Sequence, residues 1–149
     1  MEDILANNDE HFMRIALDEA RKAYEKDEVP IGAVIVCKNT IIAKAFNLVE
    51  TLNDPSAHAE MQAITSAANW LGSKYLKGCT IYVTVEPCSM CAAALGWAQI
   101  DKIVYGAPDP KKGFSIIAPK VLHPKTTVVG GICVEECSSL MRDFFKKKR

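Results

Sequence analysis

Short β-branched apolar runs alternate with helix-length amphipathic stretches along this chain, and that order narrows the folds open to it. Residues 9–27 place Phe12, Ile15, Ala16, Ala20 and Ala23 at helical spacing, which predicts a first amphipathic helix. Pro30 and Gly32 open the run GAVIVC, Ile41 to Phe46 gives a second run, and the KNT between them suits a tight hairpin turn. A helix is expected over 57–70, with Asp54 or Ser56 as its cap and Pro55 near its first turn. Gly72 and Gly78 bracket the way into CTIYVTV, a third strand, and a helix is expected from Pro87 to about Ala98. KIVYGA reads as a fourth strand and KTTVVGG as a fifth. Residues 134–147 close the chain as a helix with Leu140, Met141, Phe144 and Phe145 on or near its buried side. A hairpin followed by alternating helices and strands points to a layered α/β fold with a mixed sheet. No linker, repeat or low-complexity stretch interrupts it, so one domain over 1–149 is expected.

No apolar run approaches the roughly 18 residues that a membrane span needs. The opening MEDILANNDE is acidic and lacks the basic and apolar regions of a signal peptide, so a cytoplasmic protein with no membrane partner is expected. In that setting the six cysteines at 37, 79, 88, 91, 133 and 137 read as reduced core thiols or metal ligands rather than disulfides. Zero formal charge and a pI near 6.8 argue against dominant nonspecific nucleic-acid binding. The zero is uneven, however: residues 1–100 hold 8 Lys/Arg against 13 Asp/Glu, and residues 101–149 hold 10 against 5. The basic end is either a solvated helix terminus favoured by its dipole or a contact for a polyanion.

Two short motifs carry chemistry: HAEMQAI at 58–64 and EPCSMCAAAL at 86–95. In mid-helix, residues two apart point to nearly opposite sides, so His58 and Glu60 share a site only at a helix start. Cys88 and Cys91 differ by three and share a face; Pro87 suits a first helical turn because it lacks an N–H unpaired there anyway. The N–H groups of that turn favour the thiolates that metals bind. Two thiolates and one imidazole suit zinc. Structural zinc sites normally take four protein ligands, and three leave a position for water. His11 and His123 have no neighbouring ligand pattern, which favours an open catalytic site, although Cys37, Cys79, Cys133 or Cys137 remains available as a fourth ligand. Glu60 is then the candidate base. Taken singly, HAE is an exposed helix carboxylate and C-x-x-C a redox pair or half a zinc finger; their joint presence ahead of two helices favours one site.

The HAE followed by PCSMC resembles the zinc-dependent cytidine/deoxycytidylate deaminase superfamily. More narrowly, EVPIGAVIV, the asparagine of AFN, DPSAHAEMQAI, TIYVTVEPCSMCAAAL, VYGAPDPKKG and EECSSLMRDFFKKKR resemble the bacterial tRNA-specific adenosine deaminases. That resemblance implies a three-layer cytidine-deaminase-like fold, a five-stranded mixed sheet flanked by helices. It implies one Zn2+ per chain on His58, Cys88 and Cys91, with Glu60 shuttling protons rather than binding the metal. It implies that Asn47 hydrogen-bonds the target base and that Pro55 and Pro87 shape its pocket. Val29, Asp109, Lys111 and Phe145 fall where that family meets a tRNA anticodon stem-loop, and a homodimer is implied, with residues from both chains at each site. The sequence departs from the family at FSIIAPKVLHPK, so the loop from Gly113 to Pro124 is unmatched. Cys37, Cys79, Cys133 and Cys137 match no site pattern and are expected as small buried residues, and Trp70 and Trp97 as core or dimer surface. The function implied is hydrolytic deamination of adenosine to inosine at the wobble position. The alternatives are deamination of a free base or nucleoside of guanine or cytosine type, and a noncatalytic zinc module that binds RNA.

Overall fold

The computed structural model describes residues 2–148, with side chains from Asn8 onward. Its five strands are β1 (Gly32–Cys37), β2 (Thr40–Phe46), β3 (Cys79–Val85), β4 (Lys102–Ala107) and β5 (Thr127–Val129). The helices are α1 (Glu2–Glu25), α2 (Val49–Leu52), α3 (Ala59–Leu71), α4 (Ser89–Trp97), α5 (Phe114–Ile117) and α6 (Val134–Lys147). The strands form one sheet in the order β2-β1-β3-β4-β5. β1 runs antiparallel to β2 and β3, while β3, β4 and β5 are parallel, so the mixed sheet expected from the sequence is present.

Hairpin and crossover each follow from local chemistry. Lys38 and Asn39 both take positive φ, 49° and 66°, between the paired residues Cys37 and Thr40. That conformation gives a two-residue turn the twist its flanking strands need. β3 and β4 are parallel, and α4 between them makes the crossover. Strand side chains alternate between faces, and here both faces are covered. Ala33, Ile35, Ile81, Val83 and Ile103 meet Ala59, Ala63 and Ala67 of α3 and Leu95 of α4. Val34, Val36, Tyr82 and Val104 meet Phe12, Met13, Ala16 and Leu17 of α1 and Cys137 of α6. The apolar strand runs therefore lie between two helical layers. α1 lies so close to the sheet that a Cβ on Gly32 would collide with the Ala16 carbonyl and the Ala20 nitrogen.

Several expectations are corrected. α1 spans Glu2–Glu25 rather than 9–27. α3 begins at Ala59 with His58 as its N-cap, because Asp54 is already used in a separate turn, its Oδ1 accepting from the Ser56 N–H and hydroxyl. Pro55 belongs to that turn, and Pro87 precedes the α4 cap, Cys88, instead of lying in the first helical turn. Two one-turn helices, α2 and α5, were not expected, and α5 falls inside the unmatched 113–124 loop. The fifth strand is confined to Thr127–Val129. Phe144 is buried, whereas Phe145 is 45% exposed. Trp70 and Trp97 are 63% and 84% exposed, so neither is core. Cys79 and Cys137 are buried as expected, but Cys37 and Cys133 are only half-buried.

Candidate metal centre and active site

His58 and Cys88 occupy the same position on two different helices, the N-cap. Both have extended backbone, and neither spends its side chain on capping, which leaves the imidazole and the thiol available as ligands. Glu60 and Cys91 follow in the first turns of α3 and α4, and both are buried. This resolves the spacing: His58 and Glu60 reach one site because the helix has only begun between them. Gln62 pins that start, its Nε2 donating to the Phe46 carbonyl at 2.8 Å and the Ala57 carbonyl at 3.1 Å.

His58 Nδ1 lies 3.6 Å from Cys88 Sγ and 3.5 Å from Cys91 Sγ. A tetrahedral zinc with ordinary Zn–N and Zn–S bonds separates those atoms by about 3.55 Å. The three ligand atoms all lie within 4.8 Å of one another, and among the described residues no other histidine, cysteine or carboxylate group of three shares that property. Cys37, Cys79, Cys133 and Cys137 therefore supply no fourth ligand, and the set fits one open zinc site per chain.

The electrostatics agree with that fit. The Cys88 thiol is pulled down to about 4, first by the Cys91 thiol and then, against burial, by His58 and the Cys91 backbone N–H. Cys91 is pushed up because it keeps the proton that the pair shares and is itself buried. Burial pushes the Glu60 carboxyl up to about 7, against the pull of its own backbone N–H. Glu60 Oε1 is the only buried side-chain oxygen or nitrogen among the described residues without a hydrogen-bond partner. An orphaned buried acceptor is costly, and beside a three-ligand centre its fitting partner is a water that occupies the fourth position.

A cavity of about 270 Å3 opens beside these groups, lined by Val29, Asn47, Val49, Glu50, His58 and Glu60 among others. Of the residues expected to bind substrate, Val29 and Asn47 thus join the metal ligands; Asn47 is buried, and its N–H donates to the Ile31 carbonyl at 3.1 Å. Pro87 is buried behind Cys88, whereas Pro55 is exposed and lies outside the cavity lining. Asp109 shapes its own turn by accepting from the Lys111 and Lys112 N–H groups, and the Lys111 side chain is exposed. Phe145 stands on the outer side of α6, against the edge of buried Phe144.

Sequence reasoning missed two buried glutamates. Glu86 accepts from the Asp109 and Ser115 N–H groups and the Ser115 hydroxyl, so it ties the 109–115 loop to the end of β3. Gly113 packs directly on this carboxylate and pairs with Cys88 in an isolated β-bridge. Glu28 accepts from the first turn of α2. The available signal was an acid placed directly at either end of a long apolar strand run, at EVPIGAVIV and TIYVTVEP.

A buried, proton-hungry carboxyl beside a His-Cys-Cys centre, set on two helix starts over a mixed sheet, defines a zinc-dependent deaminase. The chain belongs to the family described as the cytidine and deoxycytidylate deaminase zinc-binding region, which matches residues 6–107. It is 47% identical to the tRNA-specific adenosine deaminase of Aquifex aeolicus over 94% of this chain and 95% of that protein. The Bacillus subtilis tRNA-specific adenosine deaminase is 45% identical over 95% of this chain and 91% of its own. A structure from a study of A-to-I editing by tRNA:A34 deaminases superposes with a TM-score of 0.82 at 44% identity, covering 87% of this chain and 98% of that one. A guanine deaminase from Bacillus subtilis superposes at 0.66 with 36% identity, over 77% of each chain. No described helix is long and apolar enough to cross a membrane.

Proposed function

We propose that the chain acts as one cytoplasmic deaminase domain that hydrolyses adenosine to inosine at the wobble position of a tRNA anticodon. The observation that carries this reading is the 47% identity to a tRNA-specific adenosine deaminase across nearly the whole of both chains. Zinc on His58, Cys88 and Cys91 would supply a Lewis acid that makes water a better nucleophile at neutral pH. Glu60 takes a proton from the attacking water and hands it to the purine ring nitrogen as the C6–O bond forms. It then takes the proton left on that oxygen and delivers it to the amine, which leaves as ammonia when the C6–N bond breaks. A carboxyl poised near neutrality suits a group that must both accept and donate. Asn47 offers its side-chain amide to the base, and Val29 packs beside it in the cavity. Asp109, Lys111 and Phe145 stand outside the cavity, where they would meet the nucleotides that flank a splayed-out base.

The test compares inosine formation and ammonia release on an anticodon stem-loop with release from free adenosine, cytidine and guanine. Turnover is expected on the stem-loop. Removing residues 146–149 deletes KKKR, and it should raise KM for the stem-loop and flatten its salt dependence, by about 0.7 in log–log slope for each phosphate that is no longer neutralised. Zinc content should not change. Robust turnover of a free base, with none on the stem-loop, would overturn the tRNA reading in favour of the guanine-deaminase type.

The expected homodimer has a surface that suits it. Met90 and Trp97 are exposed on α4, seven residues apart and so on one face, and Ile116 and Ile117 are exposed on neighbouring α5. Exposed apolar residues gathered on two neighbouring helices suit an interface with a second chain. Trp97→Glu should therefore convert the dimer to monomer in analytical ultracentrifugation at micromolar concentration, while each chain keeps its zinc. A wild-type protein that sediments as a monomer at those concentrations would refute the assignment.

A further inference from the structure

Glu28 is a carboxylate that the chemistry above does not use, and it has 0% exposure. Its Oε1 accepts from the Glu50 N–H at 3.0 Å, and its Oε2 accepts from the Thr51 N–H and the Thr51 hydroxyl, both at 2.6 Å. Those N–H groups belong to the first turn of α2, where a helix has no acceptor of its own. A neighbouring Ser, Thr, Asp or Asn usually supplies one, and Asn47 Oδ1 accepts from the Val49 N–H at 3.4 Å. The N-cap itself, Leu48, makes no side-chain cap bond, which leaves the Glu50 and Thr51 N–H groups to Glu28. Glu28 thus caps α2 from 22 and 23 residues away. None of the four α2 residues is buried, so core packing does not fix where this turn sits. Burial pushes the Glu28 carboxyl up, but the Thr51 hydroxyl and the two N–H groups outweigh it and hold the carboxyl below its ordinary value.

The position of α2 matters because Val49 and Glu50 line the same cavity as His58 and Glu60. We propose that Glu28, which itself lines the cavity, is a positioning residue for substrate: by capping α2 it holds Val49 and Glu50 as a fixed wall of the slot that receives the base. The wall is then set before the substrate arrives, and the base does not have to order it. This inference rests on the deaminase reading, because it assigns the cavity to the reacting base.

The experiment measures KM and kcat on the anticodon stem-loop for wild type, E28Q, E28D and T51A, with zinc content and melting temperature alongside. A wild type that ignores the stem-loop fails the tRNA reading alone, and the same comparison then runs on whichever free base or nucleoside it accepts. E28Q keeps the side-chain size but turns an amide NH2 toward one of the helix donors. Its KM should rise about tenfold, the size of one lost hydrogen bond to a charged group, with a smaller change in kcat and unchanged zinc. T51A removes only the hydroxyl donor and should give a smaller KM rise. The effects of E28Q and T51A should be less than additive in E28Q/T51A, since both weaken the same carboxylate's hold on α2. E28D, which keeps the charge on a shorter arm, should fall between wild type and E28Q. If E28Q fails to fold, T51A and E28D carry the test. Wild-type KM in the variants, even with a lowered melting temperature, would reduce Glu28 to a structural role and overturn the proposal, as would loss of zinc in E28Q.

Discussion

Glu60→Ala is expected to keep one zinc per chain and the wild-type melting temperature while deamination falls by ~10²–10⁴-fold, the usual cost of losing a general acid/base. Three observations combine in this expectation. Glu60 lies in the first turn of α3, next to His58 but outside the ligand set. Its Oε1 has no hydrogen-bond partner within the protein, so truncation removes no bond at that oxygen. Its carboxyl is buried and costly in the charged form, so its removal relieves a burden on the fold rather than adding one. The measurements are zinc by metal analysis, thermal unfolding and inosine formation. Loss of zinc in this variant would make Glu60 a ligand, and retained turnover would move the proton shuttle elsewhere.

Cys88→Ser and Cys91→Ser should do the opposite and lose the metal first. Serine is a far poorer zinc ligand than a thiolate at neutral pH, and two remaining ligands do not hold the ion against a chelator. Because metal binding adds to folding, the melting temperature should drop in both variants, and chelation of the wild type should lower it by a similar amount. Cys91 is fully buried and Cys88 half-buried, so the Cys91 variant, which also places a hydroxyl in the core, should be the less stable of the two. Full zinc occupancy in either variant would mean that the ligand set is misassigned.

The sequence carried the order of strands and helices because the inner strands β1, β3 and β4 lie between two helical layers and so are apolar along nearly their whole length. The hairpin was readable for the same kind of reason, since Lys38 and Asn39 link two runs by the shortest available turn. Helix starts were harder. Asp54, Pro55 and Ser56 look like a cap and first turn, but their side chains close a turn of their own, and α3 waits until the residue that must face the metal. The ligands were legible because metal chemistry restricts residue type and spacing together. Glu28 and Glu86 were not, because their partners are backbone N–H groups more than twenty residues away, and backbone donors carry no sequence signature. The helices that those acids anchor or adjoin, α2 and α5, are single turns with too few residues to show a periodicity. Trp97 was ambiguous because an apolar residue on a helix reads the same whether it turns to the core or, as here, to the surface.

The order β2-β1-β3-β4-β5 leaves the sheet with two open flanks, and neither invites another strand. β5 offers only three residues, and β2 carries the exposed Lys44 in the middle of its run. A charged side chain or a short ladder at such a flank blocks cross-β pairing between molecules. The protein is thereby guarded against fibrillar growth at both ends of its ladder, and any self-association is directed through side chains on the helical layer instead.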